Sequence, residues 1–294
     1  MTLQLSGHSE RLPTLLQEQM GKEYAMIKSV LKKYYGGAVF RALDEPHREF
    51  CGGIEGNMPR LLRGEDIFGN VVDVPRVPAS FAYVLERRMG APDDVRPAWQ
   101  TNYFFTGDGS TTGTGGDHLI VLDAQHFREL TAESELYQGA LVLADGSWNE
   151  LKSQKENVFH LTTEEVQEAN GQGYVKKNGV WTPANRTVGK VLDILNKGQD
   201  LTSYLQLASE RLPHSTTLLK VTFNCTTKDG KPTMRPWTVD RIHRYSFAVA
   251  NHIDLDTYQG RVVGIVPTGP IVQGRELEAI VQSILQQRTA VVLN

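Results

Sequence analysis

The stretch Tyr174-Val-Lys-Lys-Asn-Gly-Val-Trp181 constrains the fold more than any other part of the chain. Asn178-Gly179 supplies the positive φ angles of a type I′ turn, so the residues on either side are expected to pair as a tight β-hairpin. Helix signals flank it. Thr162 and Glu165 form a capping box for a short helix ending at Gly171. Thr182-Pro183 reads as the N-cap and first residue of a second helix, with Val188, Val191, Leu192 and Leu195 as its buried stripe and Gly198 as its stop. Asp200 is expected to cap a third helix carrying Leu201, Tyr204, Leu205, Ala208 and Leu212, ended by Pro213. Residues 160–213 are therefore expected to form a small helix–hairpin–helix insertion.

Around this unit the two periodicities alternate without a regular order. Residues 9–35 carry apolar side chains at helical spacing. The stretch 44–79 is broken repeatedly by Gly and Pro, leaving room for one strand at 70–74. Ser80 is expected to cap a helix running through Arg88 to Gly90. Strands are expected at 101–106, 119–123 and 139–144, with a Gly, Ser, Thr and Asp loop at 107–117. Leu219, Val221, Phe223 and Cys225 alternate with polar residues as a half-buried strand does. Asp229-Gly230 is a second turn leading to a strand at 233–239. Ile242, Tyr245, Val249 and Ile253 suggest a helix, followed by a strand at 261–266, a helix at 275–287 and a closing strand at 289–293. Such irregular alternation points to an α+β fold rather than a doubly wound sheet. The expected organisation is a helical and Gly/Pro-rich arm over 1–90, a mixed-sheet core from 91–159 and 214–294, and the 160–213 insertion.

Composition narrows the class of function. The chain has 294 residues, 40% hydrophobic and 22% charged, with a net charge of −3. These values exclude disordered and collagen-like classes, and the slight acidity makes a specific nucleic-acid ligand unexpected, since such binders carry a basic excess. No apolar run approaches the ~20 residues of a membrane span, and the N-terminal residues lack the pattern of a signal peptide. Two cysteines, Cys51 and Cys225, are too few for a disulfide framework. A cytoplasmic protein, or a virion component assembled inside a cell, is expected.

Several segments invite a chemical reading. Gly107–Gly116 resembles a phosphate-binding loop in composition, but it runs from strand to strand rather than into a helix and has no Lys-Ser or Lys-Thr pair. The segment after it is rich in metal-type ligands: Asp117, His118, Asp123 and His126, with Asp108 just upstream. Three such groups converging would hold a divalent metal with an open position, although the odd spacing of His118 and Asp123 along a strand places them on opposite faces. His252, Asp254 and Asp256, with His243, form a weaker set of the same type. Cys51 beside His47 would require the fold to supply a base. Lys176, Lys177, Arg186, Lys190 and Lys197 suggest a winged helical reader of nucleic acid, but the wing precedes the helix and many Glu residues precede both.

The leading expectation is a non-enzymatic structural or assembly subunit of a large complex, such as a tailed-phage virion. Its partners would be copies of itself and neighbouring subunits, touched through the arm and the 107–117 loop, with no cofactor. The alternative is a metal-dependent hydrolase using the Asp/His cluster at 108–126.

Overall fold

Nine consecutive residues, Phe104–Thr112, form a strand buried along its whole length, although everything after Phe105 is Gly, Ser, Thr or Asp. The computed structural model describes residues 48–51, 77–93, 95–130, 134–242, 246–250, 255 and 261–265. The helix expected at 9–35, the strand at 70–74, the helix at 275–287, the closing strand, and the set His243, His252, Asp254 and Asp256 lie outside these residues.

In chain order the described strands are β1 Arg48–Cys51, β2 Val77–Pro78, β3 Phe104–Thr112, β4 His118–Val121, β5 Leu136–Tyr137, β6 Ala140–Val142, β7 Val158–Leu161, β8 Tyr174–Lys177, β9 Val180–Pro183, β10 Thr217–Leu218, β11 Lys220–Phe223, β12 Thr233–Val239, β13 Phe247–Ala250 and β14 Arg261–Ile265. The helices are α1 Phe81–Gly90, α2 Arg96–Thr101, α3 Gln125–Arg128, α4 Ser147–Ser153, α5 Thr163–Ala169, α6 Arg186–Leu195 and α7 Thr202–Arg211. An eleven-stranded sheet has the order β1-β14-β3-β12-β13-β11, with β2 branching from β14, β4 and then β7 from β3, and β6 and then β5 from β12. β14 runs parallel to β3, and β11 to β13, while the other pairs are antiparallel. Helices and a mixed sheet make the fold α+β. A separate three-stranded sheet has the order β10-β8-β9.

The large sheet divides the core into two layers. Phe104 joins the cluster built on α1, α2, α6 and α7, and Phe105 joins the cluster with Leu119, Phe127 and Met234 on the other face, as the two-residue period of a strand requires. The first cluster runs without a break from Phe81 and Trp99 to Val188, Leu192 and Tyr204. Val188, Val191, Leu192 and Leu195 on α6 are fully buried, each contributing about 1.5–3 kcal/mol of transfer free energy. β12 carries Pro236, which has no N–H, in a central strand. A register shift between Pro236 and Thr238 opens the ladder there, the condition under which a sheet tolerates proline.

Local signals set several boundaries as expected. Ser80 caps α1, with its hydroxyl accepting the Tyr83 N–H. Thr162 and Glu165 cap α5 reciprocally, and Asn178 and Gly179 hold φ of 51° and 84° in the β8–β9 turn. Four expectations are corrected. The strand expected at 101–106 starts at Phe104, because Thr101 ends a helix over 96–101 that Pro97 opens and whose Trp99 fills the core. The segment 107–112 is strand, not loop, because Asp108, Ser110 and Thr112 find hydrogen-bond partners within the fold. Thr182-Pro183 ends β9 rather than opening a helix: edge position makes the missing N–H harmless, and Asn185 caps α6 by accepting the Val188 N–H. Within 242–253, Phe247–Ala250 is a strand, held in parallel register against Lys220–Phe223.

One buried cation joins the helical layer to the sheet. Arg88 is fully buried on α1. It donates to the carbonyls of Trp99 (3.0 Å), Asn102 (3.0 Å) and Val239 (3.3 Å) and to the Tyr204 hydroxyl (2.8 Å). These partners belong to α2, the residue that follows it, β12 and α7, and all are neutral. Replacing the guanidinium leaves buried acceptors without donors, so Arg88→Met should lower the unfolding free energy by about 3 kcal/mol or more. Denaturant titration checks this as a fall in midpoint at unchanged slope. Arg88→Lys should recover only part of the loss, because an ammonium does not reproduce the planar fork.

Candidate functional site

The polar residues of β3 point alternately into the helical layer, and their partners set the character of the region. Thr106 donates to the Trp237 carbonyl at 2.8 Å. Asp108 is fully buried: one carboxylate oxygen accepts the Phe81 N–H at 2.7 Å and the other the Asp123 N–H at 3.0 Å. Burial pushes its carboxyl up, opposed by those two N–H groups and by the charge of Lys197. Asp108 thus fastens the first turn of α1 and the turn after β4 to the middle of the sheet.

His118, on the neighbouring β4, is also fully buried. Its Nδ1 lies 3.1 Å from Ser110 Oγ and its Nε2 3.4 Å from Thr112 Oγ1. The Thr112 hydroxyl already donates to the Asn224 carbonyl at 2.8 Å. It is left to accept from Nε2–H, and Nδ1 accepts from Ser110. A neutral imidazole with the proton on Nε2 satisfies both hydroxyls, and the Phe223 ring packs edge-on at 5.1 Å. Burial pushes the imidazole down to about 4, partly opposed by Asp117.

Asp117 turns the other way, to a corner shared by β4, β7 and α5. Its Oδ2 lies 2.7 Å from His160 Nε2, and its Oδ1 accepts from both the N–H and the hydroxyl of Thr163 at 2.8 Å. Burial alone would raise the Asp117 carboxyl, but the hydrogen bonds from Thr163 and His160 outweigh it and hold it below the usual carboxylate value. Beside it Glu165 accepts from Lys190 at 2.7 Å, and Lys190 also reaches the His160 carbonyl at 3.3 Å. Trp148 stands edge-on to His160 at 6.4 Å and lies so close under the preceding turn that a Cβ at Gly113 would come within 2.9 Å of its ring. Gly113 thus lets a tight turn pack on an indole. Asp117 and His160 keep 33% and 31% of their side-chain surface exposed, so this pair stands where solvent and solutes reach it.

The other sequence candidates are dispersed. Asp123 is exposed in the turn after β4 with φ of 52°. His126 is half-buried on α3, its imidazole pushed down by burial against the opposing charges of Glu129 and Glu150. The structure does not bring Asp117, His118, Asp123 and His126 together as one ligand group, and among the described residues no three His, Cys, Asp or Glu side chains are placed to hold a metal ion. His160, the partner Asp117 does take, escaped the sequence reading because only the β4–β7 register, Leu119 opposite His160, brings it near. Cys225 is an exposed free thiol, its pKa raised by partial burial.

No protein-family model matches this chain and no curated protein matches it. Among solved structures, one described as "Accommodation of massive sequence variation in Nanoarchaeota by the C-type lectin fold" aligns with 64% of this chain and 87% of that one, at 14% identity and a TM-score of 0.46. A likeness of that size carries nothing about the site.

The state of His118 makes stability depend on pH. The folded protein keeps the ring neutral down to about 4, whereas its ordinary value is 6.5, so the unfolded chain binds the extra proton between those values. The stability held by the neutral ring is complete above about 6.5 and is lost as pH falls towards 4, a loss on the order of 3 kcal/mol. Unfolding free energies measured across this range should show the slope, and His118→Gln should reduce it, leaving the balance of His126, also pushed down by burial, and Asp108, pushed up. Asp117 titrates below the window and leaves it unaffected.

Proposed function

We propose that this chain acts by contact, as a non-enzymatic structural or assembly subunit whose partners are copies of itself or neighbouring subunits. The carrying observation is the β8–β9 hairpin. Among the described residues Val180 is the large hydrophobic side chain left exposed, at 62%, and it sits at the turn of an edge strand. The register places Val175, Lys177, Val180 and Thr182 on one face of this hairpin, with Thr217 of β10 beside Val175. A β-branched face fringed by lysine suits a contact of moderate strength: apolar area at the centre and charge at the rim. The polar residues of the 108–126 segment support the same reading, since Asp108, Asp117 and His118 spend their hydrogen bonds on the fold itself.

Light scattering over a range of protein concentrations tests this. The expected result is a mass that rises with concentration, and Val180→Asp should raise the dissociation constant about tenfold or more by placing a charge in the contact. Because Val180 is exposed, the variant should fold as the parent does. A parent that stays monomeric throughout, or a variant that assembles equally well, overturns the reading.

The Asp117–His160 pair favours a second reading, metal-assisted hydrolysis. The pair supplies two ligands of the right type on a solvent-reached surface, where a hydrolytic zinc site uses three and an open position. Calorimetric titration with Zn²⁺ decides it: stoichiometric binding that disappears in His160→Ala supports this reading, and heat no larger than the buffer's removes it.

A further inference from the structure

A groove of about 410 Å³ opens where the end of α7 meets the start of β13, lined by Arg211, Leu212, Pro213, His214, Thr217 and Phe247 among others. The size falls within the range of small-ligand sites. Its shape follows from the chain. Pro213 stops α7, the next residues turn back as β10, and Ser246 locks the junction by accepting the Leu219 N–H at 3.1 Å while its carbonyl takes the Lys220 N–H at 2.9 Å.

The lining divides by chemistry. Leu212, Pro213 and the Phe247 ring form an apolar floor. Around it stand Arg211, His214 and, over the Phe247 ring, Lys220, whose Nζ lies 5.9 Å from the ring centroid. Arg211, His214 and Lys220 take part in none of the ion pairs among the described residues, and no carboxylate lines the groove. The carbonyl end of α7 would by itself repel an anion, and Arg211 in its last turn offsets that field. Some cations elsewhere meet acids, Lys190 with Glu165, Lys228 with Glu135 and Arg96 with Asp93, while others, such as Lys176 and Lys177, stand on the surface without one among the described residues. Here Arg211 and His214 line the groove and Lys220 stands over its Phe247 ring, with no acid among the described lining residues.

We propose that this groove is a binding site for a small carboxylate with a flat apolar body, the ring lying on Leu212, Pro213 and Phe247 and the carboxylate reaching Arg211 and Lys220. A guanidinium grips a carboxylate through two parallel N–H bonds, and an ammonium adds charge without fixing orientation. The site borders the β8–β9 contact face at Thr217, but Arg211 and Lys220, which would hold the carboxylate, lie outside that face.

Phenylacetate is the probe, with phenylacetamide as its uncharged isostere, in ¹H–¹⁵N correlation spectra of the whole chain. The expected result is a saturable shift confined to residues 212–218 and 246–247, with a dissociation constant on the order of 1 mM. The amide should bind at least about fivefold more weakly, a difference that one charge-assisted contact supplies. Arg211→Gln with Lys220→Gln should weaken the acid about tenfold while leaving the rest of the spectrum, and so the fold, unchanged. Three results overturn the proposal: no saturable shift, equal binding of acid and amide, or full binding by the double variant.

Discussion

A carboxyl group in the middle of a sheet must be given hydrogen-bond donors or the strand that carries it cannot be central, and Asp108 meets that condition with two backbone N–H groups. Burial without donors would disfavour the ionised form by several kcal/mol. The donors come from Phe81 at the start of α1 and Asp123 in the turn after β4, so satisfying one side chain positions a helix above the sheet and a turn at its edge. The same logic runs along β3. Thr106 takes a carbonyl of β12, and Ser110 and Thr112 enclose His118 of β4. A strand of small polar residues stays buried along its whole length because these bonds remove a desolvation cost that would otherwise expel it.

Arg88 is the complement on the helical side. Both groups are charged in water and both are enclosed, yet Arg88 is met by carbonyls and a phenol, and Asp108 by amides. Direct hydrogen bonds to neutral dipoles, mostly of the backbone, hold each, with Lys197 adding a more distant opposite charge to Asp108. Such an arrangement is directional where an ion pair is tolerant, because a carbonyl has to face the guanidinium within about 3 Å in the right orientation. It therefore specifies how α1, α2, α7 and β12 meet more sharply than the apolar contacts around it, which tolerate repacking.

The parts of this fold legible in the sequence are those whose cause is local. The capping box of Thr162 and Glu165, the turn at Asn178-Gly179, the second turn at Asp229-Gly230 and the run 233–239 each contain their own determinant, and each appears where expected. The stretch 107–112 is different. Its residues are those of a loop, and only partners far along the chain, such as Trp237, Asn224 and Phe81, make it a strand. Thr182-Pro183 misled for the opposite reason: it satisfies the local rule for opening a helix, but Asn185 satisfies it three residues later while the hairpin claims Pro183. Of the candidate site, Asp117 was visible as a residue type and His160 was not, because a pairing between β4 and β7 leaves no trace in spacing.

The order of strands also governs when the molecule can come together. β3 lies between β12 and β14, so Phe104 and Phe105 wait for Arg261 and Val262 before both their backbone edges are occupied. β1, near the other end of the described chain, also closes on β14. A nascent chain emerging from a ribosome would carry its central strand with one edge open through most of synthesis, since pairings this distant in sequence form late and slowly. The Gly, Ser and Thr of β3, which face β12 across one edge, have a second virtue, because until β12 is made an exposed edge of that composition is a poor template for aggregation.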